Sequence, residues 1–145
     1  MPLHEVYESM IAKAGASFGF FAFDCDPDAI TAALGVEPDE LVRRGEQRTR
    51  SNGKVLINPM NSWSISSSLN SKDINQHLRQ LLSRLAGKQD CLAPNFGVPS
   101  FSILWEAAFL HQATGPFFEA DVLQGIASFA ADLYQEIHEV EESER

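Results

Sequence analysis

Apolar and polar residues alternate in some stretches of this chain and recur at helical spacing in others, with Gly and Pro at the joints. Ser17 to Phe23 is rich in aromatics and predicts a strand buried on at least one face. Asn61 to Leu69 alternates, with Trp63, Ile65, Ser67 and Leu69 inward and Ser62, Ser64, Ser66 and Ser68 outward. That pattern suits an antiparallel sheet with one covered face. Phe101, Ile103, Trp105, Ala107 and Phe109 alternate with Ser102, Leu104, Glu106 and Ala108, a long strand whose second apolar face predicts a central place. Leu41 to Glu46 is a shorter strand, and Asn52-Gly53 is a hairpin signal that makes Val55-Leu56-Ile57 a return strand.

Helical spacing marks the remaining segments. Asp26 can cap a helix that Pro27 starts, Asp28 complements the dipole, and Ile30, Ala33 and Leu34 form its inward stripe before Gly35 closes it. Asp73-Ile74-Asn75-Gln76 has the form of a capping box, followed by Leu78, Leu81, Leu82 and Leu85 and stopped by Gly87. A third helix runs from about Glu119, with Val122, Leu123, Ile126, Phe129 and Ala130 on one side. Residues 3–14 also suit a short helix carrying Val6, Met10, Ile11 and Ala14, ended by Gly15. Leu133 to Val140 reads either as a continued helical stripe or as an edge strand.

At 145 residues and 16.0 kDa the chain is one domain, long enough to bury roughly 68–70% of its unfolded surface. Its boundaries are expected as an N-terminal extension over 1–15, an α+β domain over 16–140 and an acidic tail over 141–145. No apolar run approaches the roughly 18 residues of a membrane span, and the opening Met1-Pro2-Leu3-His4-Glu5 lacks a signal-peptide pattern. A cytoplasmic protein without membrane contact is the expectation. Cys25 and Cys91 are too few and too far apart for a disulfide framework or a zinc knuckle.

The net charge of −9 is unevenly spread. Arg43, Arg44, Arg48, Arg50 and Lys54 face a single acid, Glu46, within residues 43–54, whereas residues 132–145 are dominated by Asp and Glu. An acidic body disfavours nucleic acid as a general partner, with the basic loop as a local exception.

These residues resemble a bacterial family, domain of unknown function 4279. The likeness rests on Asp26-Pro27-Asp28-Ala29-Ile30-Thr31-Ala32-Ala33-Leu34-Gly35-Val36-Glu37-Pro38, Arg43-Arg44-Gly45-Glu46, Trp63 and the helix from Ile74 to Leu85, and it covers about residues 16–140. The family's closing strand alternates acids with Asp and Tyr, where this chain reads Leu133-Tyr134-Gln135-Glu136-Ile137-His138. The resemblance turns that last segment into a strand. It implies an α+β fold and no established activity, and it supplies no catalytic residues.

The chemical candidates are few. Gly15-Ala16-Ser17-Phe18-Gly19 matches the G-x-S-x-G elbow, but a strand follows the Ser instead of preceding it. Asp24, Asp26 and Asp28 imitate a calcium loop that lacks its Gly and its closing Glu. The histidines are dispersed, so neither a metal nor a cofactor is expected. Two features remain. Arg43, Arg44, Arg48 and Arg50 could present guanidinium forks to a carboxylate or phosphate, against the plainer reading that they bridge the chain's own acids. Phe117, after Gly115-Pro116, is either a contact point or a staple for the next helix.

The reading is a single α+β domain: an antiparallel or mixed sheet with helices mainly on one face, a ferredoxin-like split arrangement with an added αβ unit. The expected function is a non-enzymatic binding module that uses the basic loop and exposed aromatics to meet a protein or a small anionic ligand. The alternative is a small hydrolase or transferase acting on an anionic substrate. The oligomeric state is open, with a homodimer among the options.

Overall fold

The aromatic-rich segment near the N-terminus forms the middle of the sheet. In the computed structural model, which describes residues 11–108 and 117–140, β1 (Ile11–Phe21) is flanked by two antiparallel neighbours, β5 (Ser62–Ser66) and β6 (Ser100–Ala108). A short edge strand, β2 (Glu40–Val42), lies antiparallel to β5, and β7 (Asp132–Val140) lies parallel to β6. The order is β2-β5-β1-β6-β7. β3 (Gln47–Thr49) and β4 (Val55–Ile57) pair only with each other, as a separate two-stranded ribbon.

Alternation gives this sheet two unlike faces. Ala14, Ala16, Phe18 and Phe20 of β1, Trp63 and Ile65 of β5, and Phe101, Ile103 and Trp105 of β6 are buried on one side. The helices α1 (Pro27–Leu34), α2 (Ile74–Arg84) and α3 (Ala120–Ser128) bring Ile30, Leu34, Ile74, Leu78, Leu81, Val122 and Ile126 into the same core. Phe18 is the aromatic hub, with ring centroids 4.8 Å from Phe101, 5.5 Å from Phe20 and 5.8 Å from Phe129. The opposite face carries Gly15, Ser17, Gly19, Ser62, Ser64, Ser66 and Ser102 in its middle.

The helix signals act as their chemistry requires. Asp26 accepts the Asp28 amide and Pro27 opens α1; Gly35, at φ 66°, closes it. Asp73 caps α2 by accepting the Asn75 amide at 2.9 Å. The reciprocal half of the predicted capping box is not made: the Ser71 hydroxyl accepts the Asp73 amide and donates to Gln76 Oε1. Gly125 of α3 lets the two later helices close, since a Cβ there would lie 2.6 Å from Leu82 Cδ1.

Several expectations need correction. The helix predicted over 3–14 is replaced, from Ile11 onward, by β1, so the sheet begins inside the expected N-terminal extension; residues 1–10 lie outside the described residues. A register shift between Ile11 and Lys13 puts Ile11 and Ala14 in the core together, and that spacing imitates a helical stripe. The strand expected to reach Glu46 stops at Val42, because Arg44-Gly45 turn the chain, with Gly45 at φ 88°. Leu69 lies past the end of β5 and is exposed, as is Leu123 on the outer side of α3. Ala130 leaves the helix at φ 51° and is exposed. Phe109 and the Gly115-Pro116 turn lie outside the described residues. The ambiguous last segment is a strand along Asp132–Val140.

Candidate functional site

The five cations of residues 43–54 divide into two groups with different roles. Arg43 sits at the root of the β3–β4 ribbon and holds the start of α1. Its Nη1 donates to Asp26 and its Nη2 to Asp28, both at 2.8 Å, with Glu46 at 3.6 Å. The bond to Asp26, followed by that to Asp28, holds the guanidinium pKa above its ordinary value. Asp26 is held below the usual carboxylate value, first by the Asp28 amide and then by Arg43. Arg44 reaches Asp24 at 3.1 Å. The aspartates that imitate a calcium loop are thus the anionic partners of the first two arginines.

Asn61 fixes this root from below. It is buried, accepts the Arg44 amide at 2.7 Å and donates to the Phe23 carbonyl at 2.8 Å. Paired bonds between Gly45 and Asn58 and between Asn58 and Glu46, each 2.9 Å, then launch the ribbon. Asn61 carries no special signal in sequence, since its position at the start of a strand shows nothing of the three segments it joins.

Beyond the root the ribbon stands away from the core. Arg48 pairs with Leu56, and the Arg50 amide donates to the Lys54 carbonyl, so Arg48, Arg50, Lys54 and Leu56 share one face. Gln47, Thr49, Val55 and Ile57 share the other. No acid pairs with Arg48, Arg50 or Lys54 among the described residues. Val55 and Ile57 are 56% and 63% exposed, and Met60 at the ribbon's return is exposed as well. The ribbon therefore offers cations on one side and bare β-branched carbons on the other. Val55 and Ile57 belong to the surface beside the cations, although only the cations stood out in sequence. The available signal was a hairpin with too few alternating residues to reach a core.

Phe117 lies elsewhere, at the entrance to α3. It is half-buried, and its carbonyl accepts the Asn75 side-chain amide at 3.0 Å while Asn75 Oδ1 accepts the Glu119 amide. Arg79 adds a second tie between α2 and α3, bonding Asp121 through two nitrogens and Glu119 at 2.7 Å; these carboxylates raise its pKa. The aromatics that are exposed among the described residues are Phe21 and Tyr134. Phe117 is not brought together with the arginines.

The open sheet face holds a concavity of about 380 Å³, lined in part by Lys13, Gly15, Ser17, Ser66, Ser102 and Glu136. Ser17 faces Ser66 on one side and Ser102 on the other, a cross-strand row in mid-sheet. No strand–Ser–helix elbow forms. One serine does meet a base: Ser67 Oγ lies 2.7 Å from His77 Nδ1, and His77 Nε2 lies 2.6 Å from the Ser71 carbonyl. A carbonyl only accepts, so in the neutral ring Nε2 carries the proton and Ser67 donates to Nδ1. Ser67 also accepts the Ala16 amide at 3.0 Å. This pair ties α2 to the end of β5, and Ser67 also lines the concavity. Cys25 and Cys91 are free thiols, both partly buried. Among the described residues no three His, Cys, Asp or Glu side chains are grouped to hold a metal ion, and no helix is long and apolar enough to cross a membrane.

The family described as Domain of unknown function (DUF4279) matches residues 12–138, and the chain belongs to it. No curated protein and no solved structure matches the chain.

Proposed function

We propose that this member of the DUF4279 family is a non-enzymatic interaction module whose β3–β4 ribbon captures an acidic protein surface. One observation carries the reading: Arg48, Arg50 and Lys54 have no acid partner among the described residues, on a ribbon that also exposes Val55 and Ile57. Unpaired guanidinium groups beside bare apolar carbons make a surface suited to a partner with carboxylates around an apolar centre. A −9 body discourages nonspecific polyanions while the basic ribbon attracts an anionic patch locally. The free thiols suit a reducing cytoplasm.

Arg48→Ser with Arg50→Ser should leave the fold intact, since neither side chain makes an ion pair among the described residues. It should weaken capture of acidic proteins, with the larger loss at low ionic strength where screening is least. Ile57→Ser should weaken the same capture with little salt dependence. Recovery of identical partners, with the same salt dependence, by wild type and both variants would remove the ribbon from the account. Substrate turnover that persists in both variants would favour an enzyme instead.

A further inference from the structure

A different surface, the outer edge of β7, is left open by the described strands. β7 is nine residues long and holds its parallel register with β6 without a shift from Asp132 to Val140. It contains no Pro, Gly, Lys or Arg; its charged residues are Asp132, Glu136 and Glu139, so the register must keep those carboxylates apart. The other edge of the sheet, β2, has three residues. β7 ends the strand order, so no described strand covers its outer side.

The direction of its amides follows from one bond. The Asp132 amide donates to the Pro99 carbonyl at 3.0 Å, toward β6. Backbone groups alternate sides along a strand. Those of Tyr134, Glu136 and His138 therefore also point toward β6, and those of Leu133, Gln135, Ile137 and Glu139 point outward. An incoming antiparallel strand must meet these residues.

We infer that β7 pairs antiparallel with β7 of a second copy, on a two-fold axis at Gln135. That register joins Gln135 with Gln135 and Leu133 with Ile137 twice, and sets Glu139 against Ala131. Each such pair exchanges two backbone hydrogen bonds. Opposed residues share a face, so the side chains are matched as well. Leu133 meets Ile137, which is 41% exposed in the single chain. Asp132 meets His138, and Glu136 meets Tyr134, itself 59% exposed. A two-fold axis at Glu136 would set that carboxylate against its own copy, and one at Tyr134 would set Asp132 against Glu136. The Gln135 register places no described carboxylate directly opposite another. The product is one continuous sheet through both copies, with the two open faces on the same side. It is a closed, isologous dimer.

The test is sedimentation equilibrium of the full chain across a wide concentration range at low and high salt. The expected result is a reversible dimer that tightens as salt rises, because two −9 bodies repel while the contacts are backbone bonds and apolar pairs. Gln135→Pro removes an outward amide without touching the β6–β7 ladder, and Ile137→Lys places a charge on the edge. Each should raise the dimer dissociation constant at least about tenfold, with circular dichroism and the thermal midpoint of the monomer retained. If Gln135→Pro fails to fold, Ile137→Lys decides alone, since it leaves the backbone unchanged. Arg48→Ser with Arg50→Ser should leave dimerisation as in wild type, which separates this interface from the ribbon. A wild-type monomer at all concentrations overturns the inference. So does a dimer unaffected by Ile137→Lys, or one lost with the ribbon variant.

Discussion

Two kinds of residue hold the functional surfaces in place, packed aromatics and buried amides. Trp63 is fully buried and donates its indole N–H to Thr31 Oγ1 at 2.9 Å, joining β5 to α1. Trp63→Ala should destabilise the protein by about 3–5 kcal/mol, read from denaturant unfolding, because it empties a large core volume as well as breaking that bond. Asn61→Ala should cost about 2 kcal/mol or more, since it leaves the Phe23 carbonyl and the Arg44 amide without their partner. Its effect on partner capture should exceed that of an equally destabilising core variant, because Asn61 anchors the ribbon's root. Gly19 is fixed by space: a Cβ there would lie 2.6 Å from the Trp63 carbonyl oxygen. Gly19→Val should therefore destabilise by about 1–3 kcal/mol or more through overpacking.

At the scale of elements, acid–arginine ties fasten helices and loops to one another. Arg43 links the ribbon root to α1, and Arg79 links α2 to the start of α3. Asp26 and Asp121 both have pKa values held below the ordinary 3.8, Asp121 chiefly by its bonds to Arg79. A carboxylate with a lowered folded-state pKa stabilises the fold above its unfolded value and loses that contribution as pH falls through the folded value. Thermal midpoints should accordingly fall as pH drops below 3.8. The drop should be shallower in Arg43→Gln and Arg79→Gln, whose stability at neutral pH is already reduced. An identical acid limb in wild type and both variants would show that these ties contribute nothing to the pH dependence.

For the molecule as a whole, the sheet separates a dry, helix-covered side from an open side of Ser and Gly, and both proposed contacts lie at its margins. Trp63 and Trp105 are both fully buried, so native emission should be blue-shifted and weakly quenched by iodide, with a red shift on unfolding. Emission typical of water-exposed indoles would contradict the packing. The sequence determined the local elements wherever one rule governed them: the caps of α1 and α2, the Asn52-Gly53 turn, the alternation of β5 and β6, and the burial of both tryptophans. These depend on contacts within a few residues or on a period that one covered face imposes. It misled where local pattern and long-range pairing compete. Ile11 and Ala14 read as a helical stripe until β6 supplied a partner strand, and Leu133 to Val140 reads either way by its pattern alone, the family resemblance favouring the strand that pairs with β6. Only the tertiary structure sorted the arginines. Arg43 and Arg44 fold back onto Asp24, Asp26 and Asp28 while Arg48 and Arg50 meet no acid among the described residues, because charge composition counts cations but only chain geometry brings an acid within bonding distance.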